Sequence, residues 1–99
     1  MSYRVKILPK AEEQVRELAT WWKENRPDSR TTVRKALRDV RSAIASTPFG
    51  FQRDTERDVR RANLKNTPYY AFYRVKEAER LIEVVAVWSA QRGDGPKLR

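Results

Sequence analysis

Two amphipathic helical segments separated by a very short link constrain the fold more than any other feature of this sequence. The first runs from Lys10 to about Asn25. The second follows Asp28 or Ser29, either of which can cap it by accepting a backbone N–H. Because the residue before Pro27 disfavours helical geometry, the two helices are predicted to form an antiparallel hairpin. The apolar residues of each segment share one helix face: Ala11, Val15, Leu18, Ala19 and Trp22, then Val33, Leu37, Val40 and Ile44.

Strand-forming patterns lie on both sides of the helix pair. Tyr3, Val5 and Ile7 alternate with charged residues, which predicts a short first strand with one solvent-exposed face. A polar loop is expected from the end of the second helix to about Asp58. Three strand candidates follow it, over Val59–Lys65, Tyr69–Val75 and Leu81–Trp88. The third is apolar on nearly both faces, as expected of a central strand.

The order of these elements predicts one domain over residues 1–99, since a chain of this length has room for a single core. We expect an α+β fold with the order β-α-α-β-β-β. In this fold the N-terminal helix hairpin covers one face of a small, mainly antiparallel sheet. The last two strands are expected to be neighbours, because only the residues Lys76–Arg80 connect them.

The residue types that the sequence lacks exclude several classes of chemistry. The chain has no cysteine, so it can form neither a disulfide nor a thiolate metal site. It has no histidine, which removes the usual general base near neutral pH and the commonest metal ligand. We expect no metal and no other cofactor. No apolar run approaches the length that a bilayer requires, so a cytoplasmic protein without membrane contact is expected.

The charge balance indicates an acidic partner. Lysine and arginine number 22 against 13 acidic residues, which gives a formal net charge of +9. Such an excess favours binding to nucleic acid or to an acidic protein. The first helix is slightly acidic, whereas the second carries a group of cations at Arg30, Arg34, Lys35, Arg38 and Arg41. Further cations follow at Arg53, Arg57, Arg60, Arg61, Lys65, Arg92, Lys97 and Arg99.

Five pieces of the sequence, taken in order, resemble the RelE/ParE toxin superfamily over nearly the whole chain. They are residues 3–12, 46–50, the arginine-led segment 60–64, the aromatic segment 69–75 and the last strand with its arginine at 84–92. The resemblance implies the toxin half of a bacterial type II toxin–antitoxin pair. It also implies a cognate antitoxin with a DNA-binding N-terminal part and a C-terminal segment that folds onto the toxin. Such a segment is expected to be acidic and amphipathic.

The superfamily contains two activities. RelE-type members are ribosome-dependent mRNA endonucleases, in which a ribose 2′-hydroxyl attacks the adjacent phosphate. That reaction needs groups that accept and donate protons, and cations that stabilise the phosphorane. RelE-type members place an arginine directly after the first tyrosine of the aromatic strand, where this chain has Tyr70. They also carry a tyrosine or histidine near the C-terminus, where this chain has neither.

ParE-type members are described instead as poisons of DNA gyrase that act by binding. The segment Ala71–Val75 and the long helix hairpin look closer to that type. The sequence therefore predicts a ParE-like toxin that inhibits growth by poisoning gyrase. Two alternatives stay open: a metal-independent, RelE-like endoribonuclease that acts on mRNA at the ribosome, and an inactive relative that binds its antitoxin and co-represses the operon.

The candidate site residues follow from these alternatives. If the chain is an enzyme, its catalytic candidates are Arg61, Tyr70 and Arg92, although an arginine stays protonated and is a poor proton shuttle. The candidates for target binding are Arg60, Arg61, Lys65, Arg92 and Lys97. Successive strand residues face opposite ways, so at most one of Arg60 and Arg61 is expected to point into any one site.

The adjacent residues Trp21 and Trp22 are candidates for antitoxin binding. They lie about 100° apart on the first helix. Trp22 continues the core stripe, and Trp21 lies at its margin, where it is placed either to form the rim of an antitoxin groove or to cover the end of the helix hairpin. Tyr69 and Tyr73 share one face of the aromatic strand, and core packing is favoured there over a platform that stacks on bases.

Overall fold

The computed structural model describes residues 2–89 and shows two helices packed on one face of a five-stranded sheet. The chain begins with strand β1 (Arg4–Ile7), followed by helices α1 (Pro9–Asn25) and α2 (Thr32–Ser46). The remaining strands are β2 (Gln52–Asp54), β3 (Val59–Asn63), β4 (Tyr69–Lys76) and β5 (Leu81–Ser89). The predicted α+β class and the order of the predicted elements are confirmed, with β2 as an additional strand.

The sheet is mixed, with the strand order β1-β5-β4-β3-β2. Strand β5 pairs in parallel with β1, and the other three neighbouring pairs are antiparallel. β5 therefore lies between β1 and β4, as its apolar sequence predicts. The short connection between β4 and β5 forms a 3₁₀ turn at Glu77–Glu79, and Arg80 closes it with a positive φ of 49°.

Two local predictions are wrong. The segment before Asp58 is not only loop, because it contains β2, which pairs with β3 at the edge of the sheet. β2 is three residues long and mostly exposed, so it lacks the apolar alternation that would mark a strand in the sequence. The second helix begins at Thr32 without a side-chain cap, since Pro27–Ser29 form a separate 3₁₀ turn in which the Ser29 N–H donates to the Arg26 carbonyl oxygen.

The main core lies between the helices and the sheet. Both predicted helical stripes contribute to it, and the residues that meet them from the sheet include Ala62, Ala71, Ile82, Val84 and Val87, together with Leu64 just after β3. Tyr69 and Tyr73 belong to the same core, which confirms that they pack inside the protein. Since both helical stripes are buried against one face, the prediction of a helix pair on one side of the sheet is confirmed.

The other side of the sheet, which we call the opposite face, carries a smaller apolar cluster. Its buried members are Val59, Phe72, Val85 and Ala86. Phe72 pairs with Ala86 while its neighbour Tyr73 pairs with Val84, so β5 has one extra residue at Val85. This bulge leaves Val85 and Ala86 in the same cluster although they are consecutive in the chain.

Candidate functional site

Arg60 and Arg61 are adjacent in β3, and the structure gives their side chains different surroundings. The Arg61 guanidinium carbon is 5.0 Å from the centroid of the Tyr70 ring, on the opposite face. Arg60 pairs with the core residue Tyr73, and its Nη1 donates to the carbonyl oxygens of Phe49 and Phe51 at 3.2 and 2.8 Å. Arg60 therefore holds the turn between α2 and β2, whereas Arg61 is presented together with Tyr70.

Tyr70 lies beside Arg61 at the end of the β3–β4 hairpin. Its ring contacts Phe72 with a centroid distance of 6.3 Å and a tilt of 57°. Across the strands, Asn63 pairs with Tyr70 and donates its side-chain amide to the Tyr69 carbonyl oxygen at 3.0 Å. Lys65 is exposed in the turn that follows. Arg61, Tyr70 and Lys65 are thus on one hairpin, and the Arg61 guanidinium lies over the Tyr70 ring.

A buried ion pair fixes the carboxylate of Glu83 on the same face. Glu83 is 8% exposed, and its Oε1 accepts a hydrogen bond from Arg74 Nε at 2.9 Å. Lys76 Nζ is 3.8 Å from the same oxygen. The hydrogen bond from Arg74 lowers the pKa of Glu83, and the charges of Lys76 and Lys6 act in the same direction. A carboxylate with a lowered pKa is a weaker base, so Glu83 is poorly suited to removing a proton from a hydroxyl group.

Asp54, in β2, is ion-paired as well. Its cross-strand partner Val59 belongs to the cluster of the opposite face, so Asp54 lies on that side of the sheet. Asp54 Oδ2 is 2.8 Å from Arg57 Nη1. Burial acts to raise the pKa of Asp54, but the hydrogen bonds and charge of Arg57 together lower it. Asp54 is therefore held in its charged form, like Glu83.

The other two tyrosines of β4 have structural partners on the helix side. The Tyr69 hydroxyl accepts a hydrogen bond from Trp22 Nε1 at 2.9 Å. Tyr73 donates its hydroxyl to the Pro48 carbonyl oxygen at 2.7 Å. Burial raises the pKa of Tyr73 to about 12, although the charge of Arg60 opposes the shift. Both hydroxyls are buried in the core, away from Arg61.

A groove of about 580 Å³ runs between α1 and the ends of β4 and β5. Trp21 is 47% exposed and lines the groove, whereas Trp22 is buried and packs edge-to-face on Tyr69 with a centroid distance of 6.4 Å. The Arg26 guanidinium carbon is 5.3 Å from the Trp22 ring centroid. The structure thus brings both tryptophans to one groove, which combines an exposed indole with a cation.

The end of β5 that β1 does not pair with adjoins this groove. β1 pairs with β5 only as far as Val84, whose carbonyl oxygen accepts a hydrogen bond from the Leu8 N–H. Farther along β5, the Val87 N–H donates to Gln14 Oε1 of α1 at 2.8 Å. A side chain therefore takes the place that a neighbouring strand would fill. Nothing in the sequence around Gln14 distinguishes it from the other polar residues of α1.

Two predicted target-binding residues, Arg92 and Lys97, lie outside the described residues. Within residues 2–89, no three acidic side chains are grouped so that they could hold a metal ion. In the same part of the chain, neither helix is long and apolar enough to cross a membrane.

A family model described as the ParE toxin of the type II toxin–antitoxin system, parDE, matches residues 5–93. No curated protein sequence matches the chain. Among solved structures, the chain is similar to the chromosomal ParDE toxin–antitoxin system from Pseudomonas aeruginosa, with a TM-score of 0.75 and 18% identity. That match covers 91% of this chain and 98% of the other.

Two further structures share the fold. A mutant of the E. coli toxin RelE in the free state has a TM-score of 0.69 and 17% identity, covering 92% of this chain and 86% of RelE. The toxin–antitoxin complex RelBE2 from Mycobacterium tuberculosis has a TM-score of 0.63 and 13% identity, covering 90% of this chain and 99% of the other. The family match covers most of the sequence, and the described fold agrees with it. This chain therefore belongs to the ParE toxin family and is a toxin of a type II toxin–antitoxin system.

Proposed function

We propose that this toxin acts in the cytoplasm by binding and poisoning DNA gyrase, and that it does not cut RNA. The observation that carries the proposal is that two carboxylates on the opposite face are held in their charged form by neighbouring cations. Glu83 and Asp54 are both ion-paired, and their pKa values are lowered. The face presents Arg61 stacked on Tyr70. Its cation and aromatic rings are suited to binding, whereas RNA cleavage also needs a group that accepts a proton.

The residues proposed to contact the target are Arg61 and Lys65 on the β3–β4 hairpin, together with Arg92 and Lys97. The sequence also predicts that Arg60 binds the target. In this proposal Arg60 instead supports the adjacent turn, because its Nη1 donates to the Phe49 and Phe51 carbonyl oxygens. Arginine is enriched at the energetic centres of protein interfaces, since its guanidinium stacks on aromatic rings and makes several hydrogen bonds.

One observation favours the alternative of a RelE-like nuclease. Arg61 lies directly over Tyr70, which places a cation able to bind a phosphate beside the only phenol found on the opposite face within residues 2–89. If the toxin is a nuclease, Tyr70 would have to accept or donate a proton during cleavage. The two activities can be told apart by their products, which are gyrase-cleaved DNA for one and cut mRNA for the other.

The purified toxin should be assayed on both targets. We expect it to inhibit supercoiling by gyrase and to stabilise gyrase-cleaved DNA, while mRNA in a programmed ribosome stays intact. Arg61→Ala should weaken the effect on gyrase, and the matched control Arg16→Ala, which removes an exposed cation from α1, should not. Ribosome-dependent cleavage of mRNA would overturn the proposal in favour of the nuclease. Activity on neither target would favour an inactive relative.

We further propose that a cognate antitoxin, acidic and with a DNA-binding N-terminal part, occupies the groove beside α1. The RelBE2 structure is that of a toxin–antitoxin complex, which supports a protein partner for a toxin of this fold. The groove offers an exposed Trp21 ring and lies along the end of β5 that β1 does not pair with. An amphipathic segment would bury the indole and pair its acidic side chains with cations such as Arg26.

Trp21→Ala tests this surface. An aromatic anchor at the centre of an interface contributes about 2 kcal/mol or more, so we expect the antitoxin to bind about thirtyfold more weakly. The neighbouring exposed residue supplies the control Thr20→Ala, which should leave the affinity unchanged. The affinities can be measured by calorimetry with the co-expressed antitoxin after the complex has been separated. Equal affinity for Trp21→Ala and wild type would place the antitoxin elsewhere.

A further inference from the structure

Four arginines, which we call the arginine flank, lie on α2 and in the turn that precedes it. They are Arg30, Arg34, Arg38 and Arg41. Arg34, Arg38 and Arg41 are spaced by four and three residues along α2, and Arg30 lies in the turn before the helix, four residues ahead of Arg34. Residues at these intervals lie on the same side of a helix. All four side chains are exposed, whereas the apolar stripe of α2 is turned into the core.

No acidic side chain among the described residues forms an ion pair with this flank. Within residues 2–89, the side chains of Arg30, Arg34 and Arg38 make no hydrogen bond or ion pair. Asp39 follows Arg38 directly, so it lies about 100° around the helix from it. The guanidinium groups of Arg30, Arg34 and Arg38 are therefore available to an external anion, and Arg34 and Arg38 are about 6 Å apart along the helix axis.

Arg41 joins the flank to the outer edge of the sheet. Its Nη2 donates to the Val5 carbonyl oxygen of β1 at 3.0 Å. Beside this contact lies a groove of about 750 Å³, where Arg4 and Lys6 add two further cations and Glu12 contributes an acid. The basic surface thus continues from α2 across to β1.

We propose that the arginine flank binds the phosphate backbone of nucleic acid without reading its sequence. Guanidinium groups match phosphate oxygens in geometry, and phosphate contacts require cations but no apolar anchor. The proposal does not depend on which cellular target the toxin inhibits.

The composition of the flank favours a phosphate backbone over an acidic protein. Protein interfaces take most of their affinity from buried aromatic and apolar anchors. The large apolar side chains that are exposed in the described structure are Trp21 and Phe49, and neither is on α2. A partner strand is also disfavoured at the edge of β1, because Arg41 already occupies the Val5 carbonyl oxygen.

The salt dependence of binding measures the number of phosphate contacts. Each contact to duplex DNA contributes about −0.9 to the slope of log affinity against log salt concentration. Arg41 uses one N–H donor on Val5 and keeps others for a phosphate, so all four arginines can each make one contact. Four contacts predict that affinity for a 20-base-pair duplex of random sequence falls about 150-fold between 50 and 200 mM salt. A single-stranded RNA of 20 nucleotides, with about −0.7 for each contact, should lose about 50-fold. Comparing the two affinities identifies which nucleic acid is preferred.

The decisive comparison uses two double variants of the full chain, read by fluorescence anisotropy. Arg34→Gln with Arg38→Gln removes the centre of the flank. Arg16→Gln with Lys23→Gln removes two exposed cations from α1, so this variant has the same net charge as the first variant. The first variant should lose about 1.8 from the slope, so its affinity should fall only about 12-fold over the same salt range. The second should keep the slope of the wild type. Circular dichroism confirms that both are folded.

Three results would overturn the proposal. Equal loss of slope in both double variants would show that net charge alone attracts the nucleic acid. An unchanged slope in the first variant would show that the flank makes no phosphate contact. If poly-L-glutamate binds the wild type and this binding is lost in the first variant while duplex binding persists, the flank is instead a surface for an acidic protein.

Discussion

The two faces of β4 carry similar aromatic residues that have different roles. On the helix side, Tyr69 and Tyr73 are buried, and each hydroxyl has a hydrogen-bond partner in the core. On the opposite face, Tyr70 is half-buried under the Arg61 guanidinium. The same contrast separates Arg60, which supports a turn, from Arg61, which stacks on Tyr70 and which we propose contacts the target. Surroundings, more than residue type, therefore decide which groups are available for function.

The largest expected effect is on the helix side of this comparison. Tyr73→Ala should lower the free energy of unfolding by about 3–5 kcal/mol, because it leaves a cavity in the core and an unpaired Pro48 carbonyl oxygen. Tyr70→Ala, on the opposite face, should cost about 1 kcal/mol, since its ring is only partly buried. Urea denaturation followed by tryptophan fluorescence measures both values. Equal losses would mean that the two faces do not differ in packing.

The next effect concerns the ion pair of Glu83 and Arg74. The pKa of Glu83 in the folded protein is below its ordinary value of 4.5. The contact therefore stabilises the protein above about pH 4.5, and this stabilisation is lost as the pH falls through the lowered pKa. Glu83→Gln should cost about 1–2 kcal/mol at pH 7, less than for a fully buried pair, since the Arg74 side chain is 40% exposed.

The control for that prediction is the pH dependence itself. In Glu83→Gln, the unfolding free energy should change less between pH 6 and pH 3 than in the wild type, because one carboxylate with a lowered pKa is gone. Lys76→Gln should have a smaller effect, since its Nζ is 3.8 Å from the Glu83 oxygen and its side chain is 43% exposed. If the unfolding free energies of wild type and Glu83→Gln change with pH in parallel, the lowered pKa of Glu83 does not contribute to stability, which would contradict the prediction.

The smallest expected effect separates the two neighbouring arginines. Arg60→Ala should cost about 1 kcal/mol of stability, because it removes hydrogen bonds to the Phe49 and Phe51 carbonyl oxygens. Arg61→Ala should cost about 0.5 kcal/mol, since its contact is a single cation–π interaction on the sheet surface. Thermal unfolding of both variants tests this order. A larger loss in Arg61→Ala would reverse the roles that we assign.

Much of the fold was predictable, since amphipathic patterns report which residues meet the core. The stripes of α1 and α2 and the apolar run of β5 predicted elements that the structure confirms. β2 was missed because a short, exposed edge strand buries too little to produce a pattern. The start of α2 was misplaced because its first turn has no side-chain cap to mark it.

The candidate site was harder to predict, because its contacts join residues that are distant in the sequence. Alternation in β3 correctly separated Arg60 from Arg61. The stacking of Arg61 on Tyr70 depends on the register of the β3–β4 pair, and the contact from Gln14 to Val87 spans 73 positions. Local patterns carry no information on such contacts. The groove beside α1 was anticipated only through the exposed Trp21 at the margin of a helical stripe.

The most direct test of the central claim, that this toxin binds its target and does not cut RNA, is the variant Tyr70→Phe. This substitution removes one hydroxyl from the opposite face and keeps the ring under Arg61. If the toxin acts by binding gyrase, Tyr70→Phe should stabilise gyrase-cleaved DNA to the same extent as the wild type, and neither protein should cut ribosome-bound mRNA. If Tyr70 exchanges a proton in catalysis, its loss should slow cleavage by about 10² to 10⁴. Ribosome-dependent mRNA cleavage by the wild type that disappears in Tyr70→Phe would contradict the claim.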